Sequence, residues 1–276
     1  MSITSRNNTY EFEAIGTHWW IERLDDNMID MSLQTALQTA AVEFDTRYSR
    51  FRDDSLVAQL ARDGRLLLPP AEMINMLKYA KQLFYESDGV FNITVGGALH
   101  ALGYGAREHA ASVIADPWRE ISWQDTQITA PKGLLIDFGG FGKGWLIETF
   151  AAVMRTHGVR YFIVNGGGDI YVDAPETIEF ALEHPYDPTK SIGQTHIKKG
   201  ALAASSTVKR VWELDSKQYH HIIDPATERS SDSSIVASFV RADSALIADT
   251  VATIIILRPE LAEVFEKRYG VRTITV

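Results

Sequence analysis

The stretch Leu134–Phe150, LLIDFGGFGKGWLIETF, constrains this chain more than any other. Leu134, Leu135 and Ile136 read as the end of a buried strand, with Asp137 at its carboxyl end. Gly139, Gly140, Gly142 and Gly144 bracket Lys143 in a tight turn, and Trp145 to Phe150 begin an apolar helix. Such a unit makes a place for an anion. Glycines let the backbone approach closely, and a helix N-terminus offers unpaired N–H groups and a partial positive charge. Lys143 adds a full charge. The turn is not the phosphate loop G-x-x-x-x-G-K-[ST], because Lys143 is followed by glycine, nor does it have the dinucleotide spacing G-x-G-x-x-G. A structural corner with a solvated lysine is the plainer alternative.

What such a site would hold is limited by charge. The net charge is −9, from 27 basic and 36 acidic residues, with no run of Lys or Arg. This argues against nucleic acid and anionic membranes as partners. A small anion then needs a local cluster of donors or a metal ion. There is no cysteine, which removes thiolate catalysis, disulfides and zinc–thiolate sites. The 276 residues, 45% hydrophobic, suffice for one large core or two lobes. The start, MSITSRNNTYEFEAIG, has no apolar leader core, and no stretch approaches 18 uninterrupted apolar residues. The expectation is a soluble, cytoplasmic protein with no membrane insertion.

Thr9 to Leu24 reads as strand, turn and strand, its paired tryptophans packing on both faces. Ser32 to Tyr48 has helical periodicity in Leu33, Leu37, Ala40, Ala41 and Phe44. Asp54 or Ser55 caps a short helix, and the arginines before it, Arg50 and Arg52, read more readily as surface than as phosphate ligands. Pro70 to Ser87 is a helix stopped by Asp88-Gly89. Val90 to Gly105 is apolar and glycine-rich without a period, as segments lining a site are. Ile121 to Thr129 gives two short strands, Tyr161 to Val172 a strand, a glycine turn and a strand, and Thr177–Glu183 and Gln194–Ala204 further strands. Val211 to Ile223 is a hairpin in which His220 and His221 point to opposite faces. Ala245–Leu257 is a helix apolar almost all round, with Asp249 in its middle and Thr253 one turn on. A buried lone carboxylate is costly unless paired or bound to metal. Either Asp249 caps a neighbour, or it and Thr253 hold a hard cation.

Several of these segments resemble, in order, the FAD:protein FMN transferase (ApbE) family. They are Ala14-Ile15-Gly16-Thr17, Tyr48 to Leu56, Ser87 to Gly105, Asp137 to Trp145, Val164-Asn165 through Asp169-Ile170, Ala201 to Ser205, His221-Ile222-Ile223-Asp224-Pro225 with Thr227, and Ala248-Asp249 with Ala252-Thr253. The resemblance covers about residues 12 to 257 and implies an α+β fold forming one transferase domain over 1–276. That domain would have a larger sandwich lobe, a smaller lobe, and FAD between them. It implies a Mg²⁺-dependent enzyme that moves FMN from FAD onto a Ser or Thr hydroxyl of an acceptor flavoprotein and releases AMP. Some members hydrolyse FAD to FMN and AMP instead. A flavin-binding protein without transferase activity is the rival from another class. Asp249 and Thr253 match the family's Mg²⁺ ligands, with a backbone carbonyl falling on Gly142. Ile15, Phe51, Phe91, Asn92, Asp137, Lys143 and His221 match positions around FAD. The family usually has Met at Ile15, Tyr at Phe51, Asp-Pro at Asn92-Ile93, Ala at Gly142 and Gly at Glu228.

The implied chemistry is displacement at phosphorus, with cation and Lys143 taking up charge. The attacking hydroxyl needs a base. His221 is the first choice because its unperturbed pKa lies near neutrality, and Asp224 either orients it or acts itself.

Overall fold

In a computed structural model, which describes residues 8–105 and 112–276, the chain opens with β1 (Thr9–Ala14) and β2 (Thr17–Arg23). Residues 1–7, the first part of the stretch 1–16 in which the sequence shows no apolar leader core, lie outside the described residues, as do 106–111. Four helices and three short strands follow: α1 (Met31–Tyr48), α2 (Leu56–Asp63), β3 (Arg65–Leu67), α3 (Ala71–Glu86), α4 (Gly96–Ala101), β4 (Ser122–Gln124) and β5 (Gln127–Thr129). Then come α5 (Gly142–Thr156), β6 (Phe162–Gly166), β7 (Asp169–His184), β8 (Asp187–Ser206), β9 (Val211–Leu214), β10 (Lys217–His220), β11 (Ile223–Asp224) and β12 (Arg229–Ser230). The chain ends with β13 (Ala237–Ala242), α6 (Ala245–Leu257), α7 (Ala262–Tyr269) and β14 (Arg272–Thr275).

The main sheet runs β1-β2-β6-β7-β8-β13-β14, antiparallel at every step. Period-two alternation gives it two apolar faces. Trp19, Ile21, Phe162, Val164, Tyr171 and Val240 face the helices, and Trp19 meets Phe150 of α5 edge-on at 4.9 Å. Trp20, Ile163, Val172, Leu202 and Phe239 face the other way. The paired tryptophans thus serve both faces, as the sequence implied. The second face is covered by the sheet's own extension. β7 and β8 shift register between Asp173 and Ile178, and beyond that point Ile178, Phe180, Leu182 and Ile197 join Trp20 and Phe239 in one cluster. The strands read separately at Thr177–Glu183 and Gln194–Ala204 are parts of these two long strands.

One local expectation fails. Leu134, Leu135 and Ile136 are buried but pair with no strand. Their extended backbone is wedged under α4 instead: Asp137 N–H donates to Ile93 O, and a Cβ on Gly96 would lie 2.3 Å from Leu135 O. Three apolar residues fit a buried strand and a buried extended segment equally well. Among the described residues no helix is long and apolar enough to cross a membrane.

Candidate active site

The N-terminus of α5 is the centre of the site. Its cap residue Phe141 makes no side-chain cap bond, and its first turn holds no acidic residue. Gly144 lets α5 meet the start of α6 backbone to backbone, because a Cβ there would lie 2.6 Å from Ala245 O. That close approach brings Gly144 N–H within 2.8 Å of Asp249 Oδ2. Lys143 Nζ lies 3.2 Å from Asp249 Oδ1 and also pairs with Asp169, whose Oδ1 accepts from Ala204 N–H at 2.9 Å. Asp169 and Asp249 are only 2% and 3% exposed. One turn along α6, Thr253 Oγ1 sits 3.0 Å from Ser205 Oγ. Lys143 is therefore not a solvated lysine, and Asp249 is not a lone acid.

Asp169 and Ser205 are the residues of this cluster that the site reading did not single out, although both stood in the matched motifs. Asp169 ends a glycine turn at the first position of β7, where a polar residue looks like ordinary turn chemistry.

A second cluster lies at the other end of the glycine segment. Asp137 accepts from Gly139 N–H through Oδ1 and from Arg50 Nε through Oδ2, the latter at 2.7 Å. Arg50 is 5% exposed, donates through Nη1 to Tyr104 O at 2.9 Å, and has a buried Nη2 with no partner. Its guanidinium lies 4.1 Å from the Phe51 ring centroid and 5.1 Å from that of Tyr104. Phe51 itself is 60% exposed, so an aromatic face backed by a cation is open to a flat ligand. The reading of Arg50 as surface is thus corrected: Arg50 is a buried, paired cation, while Arg52 is half-exposed and pairs with Asp54. Nothing local could have told the two apart, since Arg50's partner is 87 residues away.

The other expected positions are spread around these two clusters. Ile15 turns the β1–β2 hairpin with φ +45°, a left-handed conformation unusual for a β-branched residue, and packs on the core. Phe91 is buried against Phe141 and Gly140. Asn92 is buried, and its amide is engaged locally: Oδ1 accepts from Thr94 N–H and Nδ2 donates to Ile114 O. Gly142 is the first residue of α5. His220 bonds Ser231 O through Nε2. His221 has a buried Nδ1 with no partner. Burial, with Arg210 and Lys143 nearby, pushes its pKa down to about 3, so the imidazole is neutral at pH 7. This corrects the premise that its pKa stays near neutrality, and it leaves a proton-free acceptor nitrogen. Asp224 accepts from Ala226 N–H and faces Arg258 at 4.0 Å, and no hydrogen bond joins it to His221.

The donor set suits a hard cation. Two buried carboxylates face one ammonium, which leaves one negative charge in excess, and the hydroxyls of Thr253 and Ser205 stand beside them. No group of three or more acidic or histidine ligands gathers among the described residues. A metal here would therefore fill its shell with hydroxyl, carbonyl, water or phosphate oxygens, as Mg²⁺ does.

An antiparallel sheet packed on helices, with a buried cluster of one lysine and two acids at a helix N-terminus, defines an α+β protein with a charged site at that terminus. The sequence profile described as the ApbE family matches residues 15–274, and the chain belongs to that family. The FAD:protein FMN transferase of Salmonella typhimurium is 24% identical over 94% of this chain and 81% of that protein. The one from Vibrio cholerae serotype O1 is 25% identical over 80% of this chain and 72% of that protein. The ApbE protein of Thermotoga maritima superposes with a TM-score of 0.84 at 20% identity, covering 97% of this chain and 94% of the other. The flavin transferase ApbE of Vibrio cholerae gives 0.78 at 20% identity, covering 97% and 92%.

Proposed function

We propose that this protein is an FAD:protein FMN transferase, joining the FMN part of FAD to a Ser or Thr hydroxyl of an acceptor flavoprotein and releasing AMP. The observation that carries the reading is the Lys143–Asp169–Asp249 cluster at the start of α5, where Asp249 accepts from Gly144 N–H. The names of relatives matched over most of the chain support it.

In this reading the α5 N–H groups and Lys143 hold the pyrophosphate. The exposed face of Phe51, backed by Arg50, takes a flat ring of the dinucleotide. Asp249 and Thr253, with the Gly142 carbonyl, would hold Mg²⁺, which when bound offsets charge on the phosphate oxygens. The acceptor oxygen bonds to the phosphorus bearing riboflavin, the phosphoanhydride bond breaks, and AMP leaves with the electron pair. The hydroxyl proton goes to His221 Nδ1, the buried nitrogen with no partner. A phosphate beside that imidazole favours its protonated form and opposes the effect of burial. Asp224, held by Ala226 and Arg258, shapes the loop after His221.

The test is to mix the protein with FAD, Mg²⁺ and an acceptor domain, then follow covalent flavin by mass spectrometry and AMP by chromatography. Asp249→Asn should lose transfer and its Mg²⁺ dependence while keeping the fold. Free FMN made at the same rate without acceptor would replace the reading by FAD hydrolysis. Transfer by Asp249→Asn at the wild-type rate would remove the metal assignment.

A further inference from the structure

Three ionised side chains meet at the start of α5, and their charges do not balance. Lys143 bridges Asp169 and Asp249, and among the described residues no other basic side chain pairs with either acid. The remaining contacts are backbone amides, Ala204 N–H on Asp169 and Gly144 N–H on Asp249. A buried cluster with one carboxylate in excess attracts a further cation. Yet both oxygens of Asp249 are engaged: Lys143 is 3.2 Å from Oδ1, and the Gly144 amide is 2.8 Å from Oδ2. The amide is fixed by the packing of α5 on α6, so only the lysine can give way. Its side chain is 19% exposed and flexible, whereas both acids are at 4%. Asp169 offers the ammonium a second carboxylate, so it can leave Asp249 without becoming an unpaired buried charge.

Resting on the reading of Asp249 as a metal ligand, we infer that Lys143 is a built-in competitor for the cation site and that Asp169 is the positioning residue that parks its ammonium. In the free protein the ammonium neutralises Asp249 and keeps divalent-cation affinity low. A diphosphate that draws the ammonium toward itself frees Asp249 Oδ1. Metal and dinucleotide therefore bind with positive coupling, which is reciprocal by linkage.

The test measures Mn²⁺ binding to the flavin-free protein by electron paramagnetic resonance, with Mg²⁺ competition. Lys143→Met should bind the metal about tenfold more tightly than wild type or better, the scale on which one adjacent charge moves a neighbouring equilibrium. Asp169→Asn should bind it more weakly than wild type, because the excess negative charge is gone and the lysine has no second resting place. This variant keeps a neutral one-to-one pair, so it tests the inference even where Lys143→Met is too unstable to purify. Equal or weaker binding by Lys143→Met, or equal or tighter binding by Asp169→Asn, overturns the inference and leaves the proposed function standing. A Lys143→Met/Asp249→Asn double variant should lose the tight site. Should it keep that site, the metal is not on Asp249, and the metal reading falls together with the inference.

Discussion

Two glycines two residues apart in the central turn should respond in opposite ways to alanine. At Gly144 an added Cβ would lie 2.6 Å from Ala245 O and 2.8 Å from Leu246 Cα. Both are backbone atoms, so no side chain can rotate aside, and α5 must move off α6 by most of an ångström. That shift takes the 2.8 Å bond from Gly144 N–H to Asp249 Oδ2 to the edge of hydrogen-bond range. Overpacking costs about 1–3 kcal/mol. A hydrogen bond to a buried charged acceptor is worth about 1.5–3 kcal/mol. The better helix propensity of alanine returns at most about 1 kcal/mol. The net loss is about 3 kcal/mol, which for a chain of this size lowers the thermal midpoint by roughly 6–12 °C. At Gly142 the added Cβ would sit 3.6 Å from the Phe44 ring, an ordinary contact. Gly142→Ala should therefore leave the midpoint within about 2 °C of wild type, moving upward if at all. Calorimetry on the metal-free protein reads both. The packing argument is refuted if Gly144→Ala melts within 2 °C of wild type, or if Gly142→Ala falls as far as Gly144→Ala.

Three further outcomes are expected. Arg50→Met strands Asp137 without its cation and should lose about 3–5 kcal/mol in urea unfolding; adding Asp137→Asn should recover part of that, and strict additivity of the two changes would show the pair to be uncoupled. Glu228 holds φ +56°, so Glu228→Gly should raise stability by about 0.5–1 kcal/mol, and a lower denaturation midpoint would contradict the strain argument. The pKa of His221 is depressed to about 3 in the folded state, so as pH falls below about 6.5 the unfolded chain takes up the proton first. The stability this group contributes is present above that pH and is lost progressively toward pH 3, so His221→Gln should flatten the fall in thermal midpoint across that window, and an unchanged slope would count against the burial of this imidazole.

The helices α1, α3 and α6, the β1–β2 and β9–β10 hairpins and the glycine turn before Asp169 were all legible in the sequence. Each depends on neighbours within a turn or a hairpin, and periodicity and capping report such neighbours directly. The family resemblance likewise rested on short runs read in order, and it anticipated the α+β class. The tertiary structure alone decided the rest. Leu134–Ile136 became an extended wedge under α4 because burial, not pairing, is what three apolar residues specify. The strands after Asp173 became one long arm that covers the second apolar face of the sheet, built from Trp20, Ile163 and Phe239. The charges were least legible of all. Lys143 meets acids 26 and 106 residues away, and Arg50 meets Asp137 across 87. A sequence shows that such charges exist. Whether each one is solvated or buried against a partner is decided by packing between distant segments, and in this protein that pairing is what assembles the site.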